Sequence, residues 1–299
     1  MEYYMLKSIS RMKNYLSKFY NQQKIHTLFP AGHFYSPIVN PKEIKEHEGL
    51  LWNTTDKMVG IDMHVDEQLA LLQALAPYIS HINYPQEQPL NSQATYFYKN
   101  DQYPMLDAEF LFSFLCHSKP KHMIEVGSGF SSLVTADVNR RILGQSLDFI
   151  CVEPYPRQFL IDGVDGISRL ICSKVEDLPL TFFDILDTGD ILFIDSSHVS
   201  KTGSDVNYIF FNILPLLKKG VFVHIHDIFL PDEYPKRWVI EECRNWNEQY
   251  ILRAFLSFNT GWKIIWMAHY MGLHHTNAVQ KAFPRFPNGA GGSFWIERI

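Results

Sequence analysis

The sequence predicts an α/β protein with a mostly parallel, seven-stranded sheet and helices on both faces. From about residue 106, short apolar runs alternate with helical segments, as in a chain of strand–helix–strand units. Several runs are continuously apolar, which is typical of parallel strands buried on both faces. With 299 residues, of which 46% are hydrophobic and 20% charged, the chain can bury a sizeable core.

Residues 1–105 are richer in turns and are predicted to form a mostly helical cap, with residues 106–299 as the sheet domain. In the first two dozen residues an apolar stripe with basic flanks predicts an amphipathic helix, which we expect to pack on its own domain or a partner subunit rather than lie on a membrane. A second helix is predicted over 66–76, where acidic residues suit its N-terminus.

The regular part of the chain is justified element by element from its apolar runs and its stop signals. Asp107 can cap a helix, and Pro120 ends it. Residues 272–292 are predicted to be a loop, either covering an acceptor site or lying plainly on the surface. The predicted strands are 122–126, 147–152, 167–172, 191–194, 221–225, 262–267 and 293–298. The predicted helices are 107–117, 131–143, 204–217 and 237–258.

Composition excludes some functional classes. The chain has 32 acidic residues and 27 Lys and Arg, which gives a net charge of −5. This charge argues against an overall nucleic-acid-binding character. No apolar run reaches the ~18 residues that a membrane span needs, and no secretory signal pattern is expected at the N-terminus. The four cysteines form no CxxC motif and are predicted to be buried free thiols, so a cytoplasmic location is expected.

Ligands on such a sheet bind beyond the carboxyl ends of its strands. The first predicted strand runs into Gly127-Ser128-Gly129, and these residues are predicted to approach a cofactor with their backbone. The dinucleotide pattern is only partly met, because Ser132 stands where a third glycine or alanine belongs. After the second strand, Glu153 is placed to accept hydrogen bonds from ribose hydroxyls.

The segment Met-Ile-Glu-Val-Gly-Ser-Gly over 123–129 resembles the first motif of class I S-adenosylmethionine-dependent methyltransferases. An acid two residues before the first glycine, here Glu125, belongs to that motif and not to the dinucleotide fingerprint. The resemblance covers 106–299 and implies a Rossmann-like methyltransferase sheet that binds S-adenosylmethionine. It implies that Glu125 lies near the methionine part of the cofactor, that Glu153 is the ribose acid, and that Glu176 and Asp177 lie on the adenine side.

Two further segments, 193–198 and 223–227, resemble a branch containing small-molecule O-methyltransferases, some of which use a divalent metal. Their polar residues Asp195, His198, His226 and Asp227 follow strands expected to be neighbours. In one hypothesis His198 is a general base, with Asp195 beside it and in contact with the cofactor. In the other, Asp195, His226 and Asp227 bind a metal; an imidazole at 226, where a carboxylate is expected, favours Zn²⁺ or Mn²⁺, or no metal.

The predicted function is methyl transfer to a small-molecule acceptor, at a hydroxyl oxygen. Tyr35, in a turn-forming aromatic segment, is predicted to touch the cofactor or the acceptor. The alternatives are an NAD(P)-dependent oxidoreductase on a similar sheet and a cofactor-binding interaction module without catalysis. Homo-oligomerisation is left open. Six aromatic residues of the N-terminal region are expected to line the acceptor pocket: Phe34, Tyr35, Tyr96, Phe97, Tyr98 and Tyr103.

Overall fold

The computed structural model describes residues 28–53, 57–90, 94–286 and 291–299. The basic amphipathic helix predicted in the first two dozen residues lies outside these ranges. The chain separates into two compact units, the first ending at His47 and the second spanning Glu48–Ile299. The described part of the first unit is a turn-rich segment followed by one short helix, which Asn40 caps by accepting a hydrogen bond from the backbone N–H of Lys42.

Seven strands and eleven α-helices form the regular part of the described residues. The strands are β1 His122–Val126, β2 Asp148–Val152, β3 Arg169–Ile171, β4 Ile191–Ile194, β5 Phe222–Ile225, β6 Trp262–Met267 and β7 Phe294–Arg298. The helices are α1 Pro41–Glu46, α2 Glu48–Leu51, α3 Val65–Leu75, α4 Met105–Ser118, α5 Phe130–Arg141, α6 Gln158–Ile161, α7 Asp205–Tyr208, α8 Lys236–Ile240, α9 Glu248–Leu256, α10 Ala268–His274 and α11 Thr276–Ala282. Helix α7 continues into a π-helical turn, Ile209–Ile213, and a 3₁₀ turn, Leu214–Leu216.

The strands form one sheet in the order β3-β2-β1-β4-β5-β7-β6. The first five strands are parallel, and β7 is antiparallel to both β5 and β6. The predicted mostly parallel, seven-stranded sheet is therefore confirmed. The chain moves outward from β1 to β3 and then returns to β4 on the other side of β1. This reversal places a crevice at the carboxyl ends of β1 and β4, where ligands of such sheets bind.

The core explains why β4 is continuously apolar. All four residues of β4 are fully buried, as expected of a parallel strand covered on both faces. Aromatic side chains fill the space between α4 and the antiparallel strands: Phe110 stacks on Trp266 with ring centroids 4.7 Å apart, and Phe114 contacts Trp295 at 4.7 Å. No helix in the described ranges is long and apolar enough to cross a membrane.

The helix predicted over 237–258 is wrong as a single element. The chain leaves helical geometry after α8, passes through Cys243 at a φ of 53°, and begins α9 only at Glu248. The backbone N–H groups of Asn247 and Glu248 donate to the carbonyl of His198, at 3.0 and 3.2 Å. These bonds to the loop after β4 tie down the chain at the break and define a segment, residues 241–247, that faces the crevice.

Three smaller expectations are also corrected. Residues 272–292 do not form one loop, because α10 extends into them and α11 lies within them. Asp107 is not the cap of α4: Pro104 holds that position, and Asp107 is buried in the first turn. The cysteines are free thiols, but Cys172 and Cys243 are exposed rather than buried.

Candidate functional site

The conformation of the glycine turn after β1 is fixed by its contacts with the ends of the neighbouring strands. Gly127 has a φ of 82°, and a Cβ at this position would overlap the backbone carbonyl oxygen of Asp195. The N–H of Gly127 donates to the carbonyl of Val152 at 2.9 Å, and that of Asp195 donates to the carbonyl of Val126 at 2.8 Å. The ends of β1, β2 and β4 are therefore joined by backbone hydrogen bonds around one glycine.

Glu125 lies beneath this turn and is fully buried. Its carboxylate accepts hydrogen bonds from the hydroxyls of Ser131, at 2.7 Å, and Ser132, and the thiol of Cys151 lies 3.5 Å away. Burial raises the pKa of Glu125 to about 7, even though these donors lower it. Ser132 in turn accepts the N–H of Gly129 at 3.0 Å. The serine that departs from the dinucleotide pattern therefore links the acid to the glycine turn and the start of α5.

A pocket of about 260 Å³ lies in front of the turn and contains most of the predicted cofactor residues. Glu153 lines it and accepts the N–H groups of Ser128, at 3.2 Å, and Tyr155, at 2.7 Å. Glu125 is not among the described residues that line the pocket. The lining residues are Gln102, Tyr103, Gly127, Ser128, Gly129, Phe130, Ser131, Glu153, Tyr155, Arg157 and Asp195.

The other predicted cofactor residues lie elsewhere. Glu176 and Asp177 form a 3₁₀ turn after β3, where Glu176 lies 3.8 Å from the ammonium of Lys174, and neither lines this pocket. Tyr35 belongs to the first unit and is 68% exposed, with its ring 5.0 Å from that of Phe29. Their contact with a cofactor stays a prediction.

A cluster of carboxylates and imidazoles follows β4 and β5. The Nε2 atom of His198 lies 3.4 Å from an oxygen of Asp195 and 3.6 Å from an oxygen of Asp227. Ligand atoms of these three residues all lie within 4.8 Å of one another, which is the geometry of a metal-binding group. His198 and Asp227 have φ values of 60° and 57°; left-handed backbone is uncommon for residues other than glycine and clusters at functional sites.

The two imidazoles are each held by a second, fully buried carboxylate. Glu248 accepts a hydrogen bond from Nδ1 of His198 at 2.9 Å and another from the hydroxyl of Ser196 at 2.9 Å. Asp107 lies 3.3 Å from Nε2 of His226 and accepts the backbone N–H of Gly292 at 2.8 Å. Such outer carboxylates fix the orientation of a histidine ring and decide which nitrogen faces a ligand.

The electrostatics of the cluster follow from this pairing. Burial lowers the pKa of His198, but the hydrogen bonds with Asp195 and Glu248 outweigh it and raise the pKa to about 10. Burial raises the pKa of Asp195, but His226 and His198 outweigh it and hold the pKa below its usual range. Burial raises the pKa of Asp227 above its ordinary value. The carboxylates of Asp195 and Asp227 lie close together, so their negative charge favours a positive charge between them, either the proton on His198 or a bound cation.

The structure brings all four residues of the sequence-based sets together. Asp195, His198 and Asp227 form one group, and His226, whose Nε2 lies 3.3 Å from Asp107, also places Nδ1 3.6 and 3.7 Å from oxygens of Asp195 and Asp227. The role of each residue stays a prediction. Sequence reasoning missed Glu248, because the residue lies within the helix predicted over 237–258. It also missed the role of Asp107, which it assigns as a helix cap. The signal that could have identified Asp107 is an acidic residue in an otherwise apolar helix.

A second pocket, of about 550 Å³, adjoins the first at Asp195 and Gln102. His198, His226 and Asp227 lie in its wall on the side of the sheet. The other lining residues include five from α8 and the segment 241–247: Arg237, Trp238, Glu242, Arg244 and Trp246, whose ring lies 4.2 Å from that of His198. Of the aromatic residues expected around the acceptor, Tyr103 lines the first pocket, whereas Tyr96 and Tyr98 are buried in the core.

Comparison with known proteins adds an independent finding. Residues 124–228 match the family model described as a methyltransferase domain. An uncharacterized protein of Archaeoglobus fulgidus is 34% identical over 187 residues, which is 60% of this chain and 85% of that protein. Among solved structures, the O-methyltransferase TomG from Streptomyces achromogenes in complex with SAM is 13% identical, with a TM-score of 0.41, over 86% of this chain and 96% of TomG. Coclaurine N-methyltransferase bound to N-methylheliamine and SAH is 12% identical, with a TM-score of 0.34, over 82% of this chain and 77% of that chain.

Proposed function

Because this chain belongs to the class I methyltransferase family, we propose that it transfers a methyl group from S-adenosylmethionine to a hydroxyl oxygen of a small-molecule acceptor. The observation that carries this proposal is the position of Asp195. This residue lines both pockets, one built around the glycine turn and the other around the carboxylate–imidazole cluster. Transfer of a group from a cofactor to a separate acceptor needs two binding sites that meet at one point.

The residues of the first pocket suit the cofactor. At Gly127 the loop packs so closely against Asp195 that a side chain would not fit. At Gly129, the described residues other than its chain neighbours leave the space within 4 Å of a Cβ open, so a ligand can approach the backbone closely. Glu153 offers a carboxylate beside the turn, which suits a pair of ribose hydroxyls. S-adenosylmethionine supplies a methyl group already activated on a sulfonium, so the protein's part is chiefly to position the acceptor oxygen and remove its proton.

We propose that Asp195, His198 and Asp227 bind a divalent cation next to the acceptor hydroxyl. Glu248 holds Nδ1 of His198, which leaves Nε2 facing the two carboxylates, as in metal sites with an outer carboxylate. A cation at this position would lower the pKa of a neighbouring hydroxyl. One imidazole with two carboxylates suits Mn²⁺ or Zn²⁺ better than Mg²⁺.

The alternative for the same cluster is that His198 acts as a general base without a metal. In that case the imidazole must first lose the proton that its raised pKa, about 10, holds at neutral pH, so activity would rise with pH. Nε2 of His198 would then accept the hydroxyl proton, and Glu248 would stabilise the imidazolium that forms. The two versions differ in one property, the need for a cation. A small-molecule acceptor and a cytoplasmic location stay predictions of the sequence, which leaves homo-oligomerisation open.

The experiment has two steps. S-adenosylhomocysteine and NAD are titrated into the protein by calorimetry; binding of S-adenosylhomocysteine is expected, and binding of NAD alone would contradict the methyltransferase proposal. Protein treated with EDTA is then titrated with Mn²⁺, Zn²⁺ and Mg²⁺, and methyl transfer to a panel of hydroxylated compounds is measured with each ion.

Asp227→Asn is expected to weaken Mn²⁺ binding at least tenfold, because it removes one of two charged ligands. Asp162→Asn, at an exposed aspartate that accepts a hydrogen bond from Gln158, is the matched control. If EDTA leaves methyl transfer unchanged and no ion binds, the cation is excluded and His198→Ala tests the general base.

A further inference from the structure

The second pocket contains two arginines that methyl transfer itself does not need. Arg237 and Arg244 line it together with the Asp195–His198–Asp227 cluster. We propose that the acceptor carries an anionic group, a carboxylate or a phosphate, which these arginines bind while its hydroxyl lies at the cluster. The proposal rests on the proposed function, because it assigns the second pocket to the acceptor.

Both guanidinium groups are held in place by the same carboxylate. Nε of Arg237 lies 3.0 Å from one oxygen of Glu242, and Nε of Arg244 lies 2.7 Å from the other. These contacts use the Nε atoms, whereas the terminal nitrogens carry the other four donors of each guanidinium. Two positive charges share one negative charge, so this wall has an excess positive charge.

Arg244 is also oriented by two indole rings. Its guanidinium carbon lies 4.1 Å from the ring centroid of Trp238 and 4.6 Å from that of Trp246. Stacking on aromatic faces restricts the side chain and leaves the edge of the guanidinium as its hydrogen-bonding surface. A restricted guanidinium loses less conformational freedom on binding and suits planar, bidentate recognition of a carboxylate or phosphate.

The pocket therefore contains both kinds of charge. Asp195, His198 and Asp227 line it together with Arg237 and Arg244, and the ring of Trp246 lies between them, 4.2 Å from that of His198 and 4.6 Å from the guanidinium carbon of Arg244. Asp101 also lines the pocket, from the segment that precedes Gln102. An acceptor with an anionic group at one end and a hydroxyl at the other can place the anion on the arginines while its hydroxyl lies at the cluster. A ring between the two groups would lie beside the indoles, in a pocket of about 550 Å³.

A matched pair of probes tests this assignment. 3,4-Dihydroxybenzoate and its neutral amide, 3,4-dihydroxybenzamide, are titrated by calorimetry into protein saturated with S-adenosylhomocysteine and Mn²⁺. We expect the benzoate to bind at least about tenfold more tightly, the effect of a charged hydrogen-bonded pair in a partly enclosed site. Inorganic phosphate as a competitor distinguishes the two sources of anion: displacement of the benzoate indicates a site for phosphates as well, and no displacement restricts it to carboxylates.

Substitutions locate the effect. Arg244→Gln is expected to remove the preference for the benzoate and leave binding of the benzamide within about twofold. Arg237→Gln serves as an independent variant, should the loss of Arg244 disturb the stacked indoles. Arg140→Gln is the matched control, because Arg140 lies on α5 in a surface ion pair with Asp137 and is not part of the pocket. Circular dichroism checks that each variant is folded.

The outcomes separate this proposal from the proposed function. If S-adenosylhomocysteine does not bind, the methyltransferase proposal fails, and the probes are compared without it. If S-adenosylhomocysteine binds but the two probes bind equally, or neither binds, the anionic acceptor is wrong and the methyltransferase proposal stands. A preference for the benzoate that survives in both arginine variants also overturns the assignment to Arg237 and Arg244.

Discussion

The buried acid beneath the glycine turn makes the stability of this protein depend on pH in a direction opposite to that of most carboxylates. Glu125 is fully buried among Ser131, Ser132 and Cys151, without a cationic partner among its hydrogen-bonding contacts. Burial raises its pKa from 4.5 to about 7. The difference corresponds to about 3 kcal/mol between the protonation states.

The sign follows from proton binding. Below pH 4.5 the folded and unfolded states both hold the proton, so Glu125 has no pH-dependent effect on stability. As pH rises toward 7, the unfolded state releases the proton and the folded state keeps it, so the free energy of unfolding falls. Above the folded pKa the loss is complete, at about 3 kcal/mol.

Glu125→Gln removes the titration and keeps the shape of the side chain. Its free energy of unfolding, relative to that of the wild type, should rise by about 3 kcal/mol between pH 4.5 and pH 8. Urea unfolding followed by circular dichroism at several pH values measures this difference. The matched control is Glu87→Gln, at an exposed carboxylate paired with Lys99, which should follow the wild-type curve closely. Parallel curves for Glu125→Gln and the wild type would refute the reasoning, because they would mean that Glu125 is ionised in the folded protein at no cost.

Three further predictions concern the same region. Gly127→Ala should weaken S-adenosylhomocysteine binding at least tenfold by calorimetry, because the new methyl group overlaps a backbone carbonyl; Gly144→Ala, where a Cβ meets no atom within 4 Å, separates this overlap from the general cost of alanine at positive φ. Ser132→Ala should lower the free energy of unfolding by about 1–3 kcal/mol in urea, since it removes a donor to Glu125 and the acceptor of a turn N–H. Asp107→Asn should reduce methyl transfer about 10–100-fold, because the substitution weakens the contact that orients His226. The affinity for S-adenosylhomocysteine should change little, since Asp107 is not among the residues that line the cofactor pocket. Equal losses in both measurements would mean that Asp107 has only a structural role.

Local features of the sequence were sufficient for the sheet. Apolar runs flanked by glycine and polar residues predicted strands β1, β4 and β6 to the residue. Of these, β4 is fully buried and has the unbroken apolar sequence that burial on both faces requires. The glycine turn, Glu153 and the Asp195–His198 segment were predicted at the strand ends, since parallel strands bring their carboxyl ends to one edge. The segment 241–247 was missed, because its break depends on hydrogen bonds to a loop nearly fifty residues earlier in the chain.

The sequence by itself determined the seven strands, the motif around Gly127 and the chemical types of the residues that follow β4 and β5. These depend on periodicity and on residues close together in the chain. Only the tertiary structure decided that Glu125 supports the turn from beneath, that Asp107 and Glu248 hold the two imidazoles, and that two arginines line the same pocket as the cluster. Each depends on contacts between residues far apart in the chain, such as the 50 positions between His198 and Glu248, and packing rather than local propensity determines those contacts.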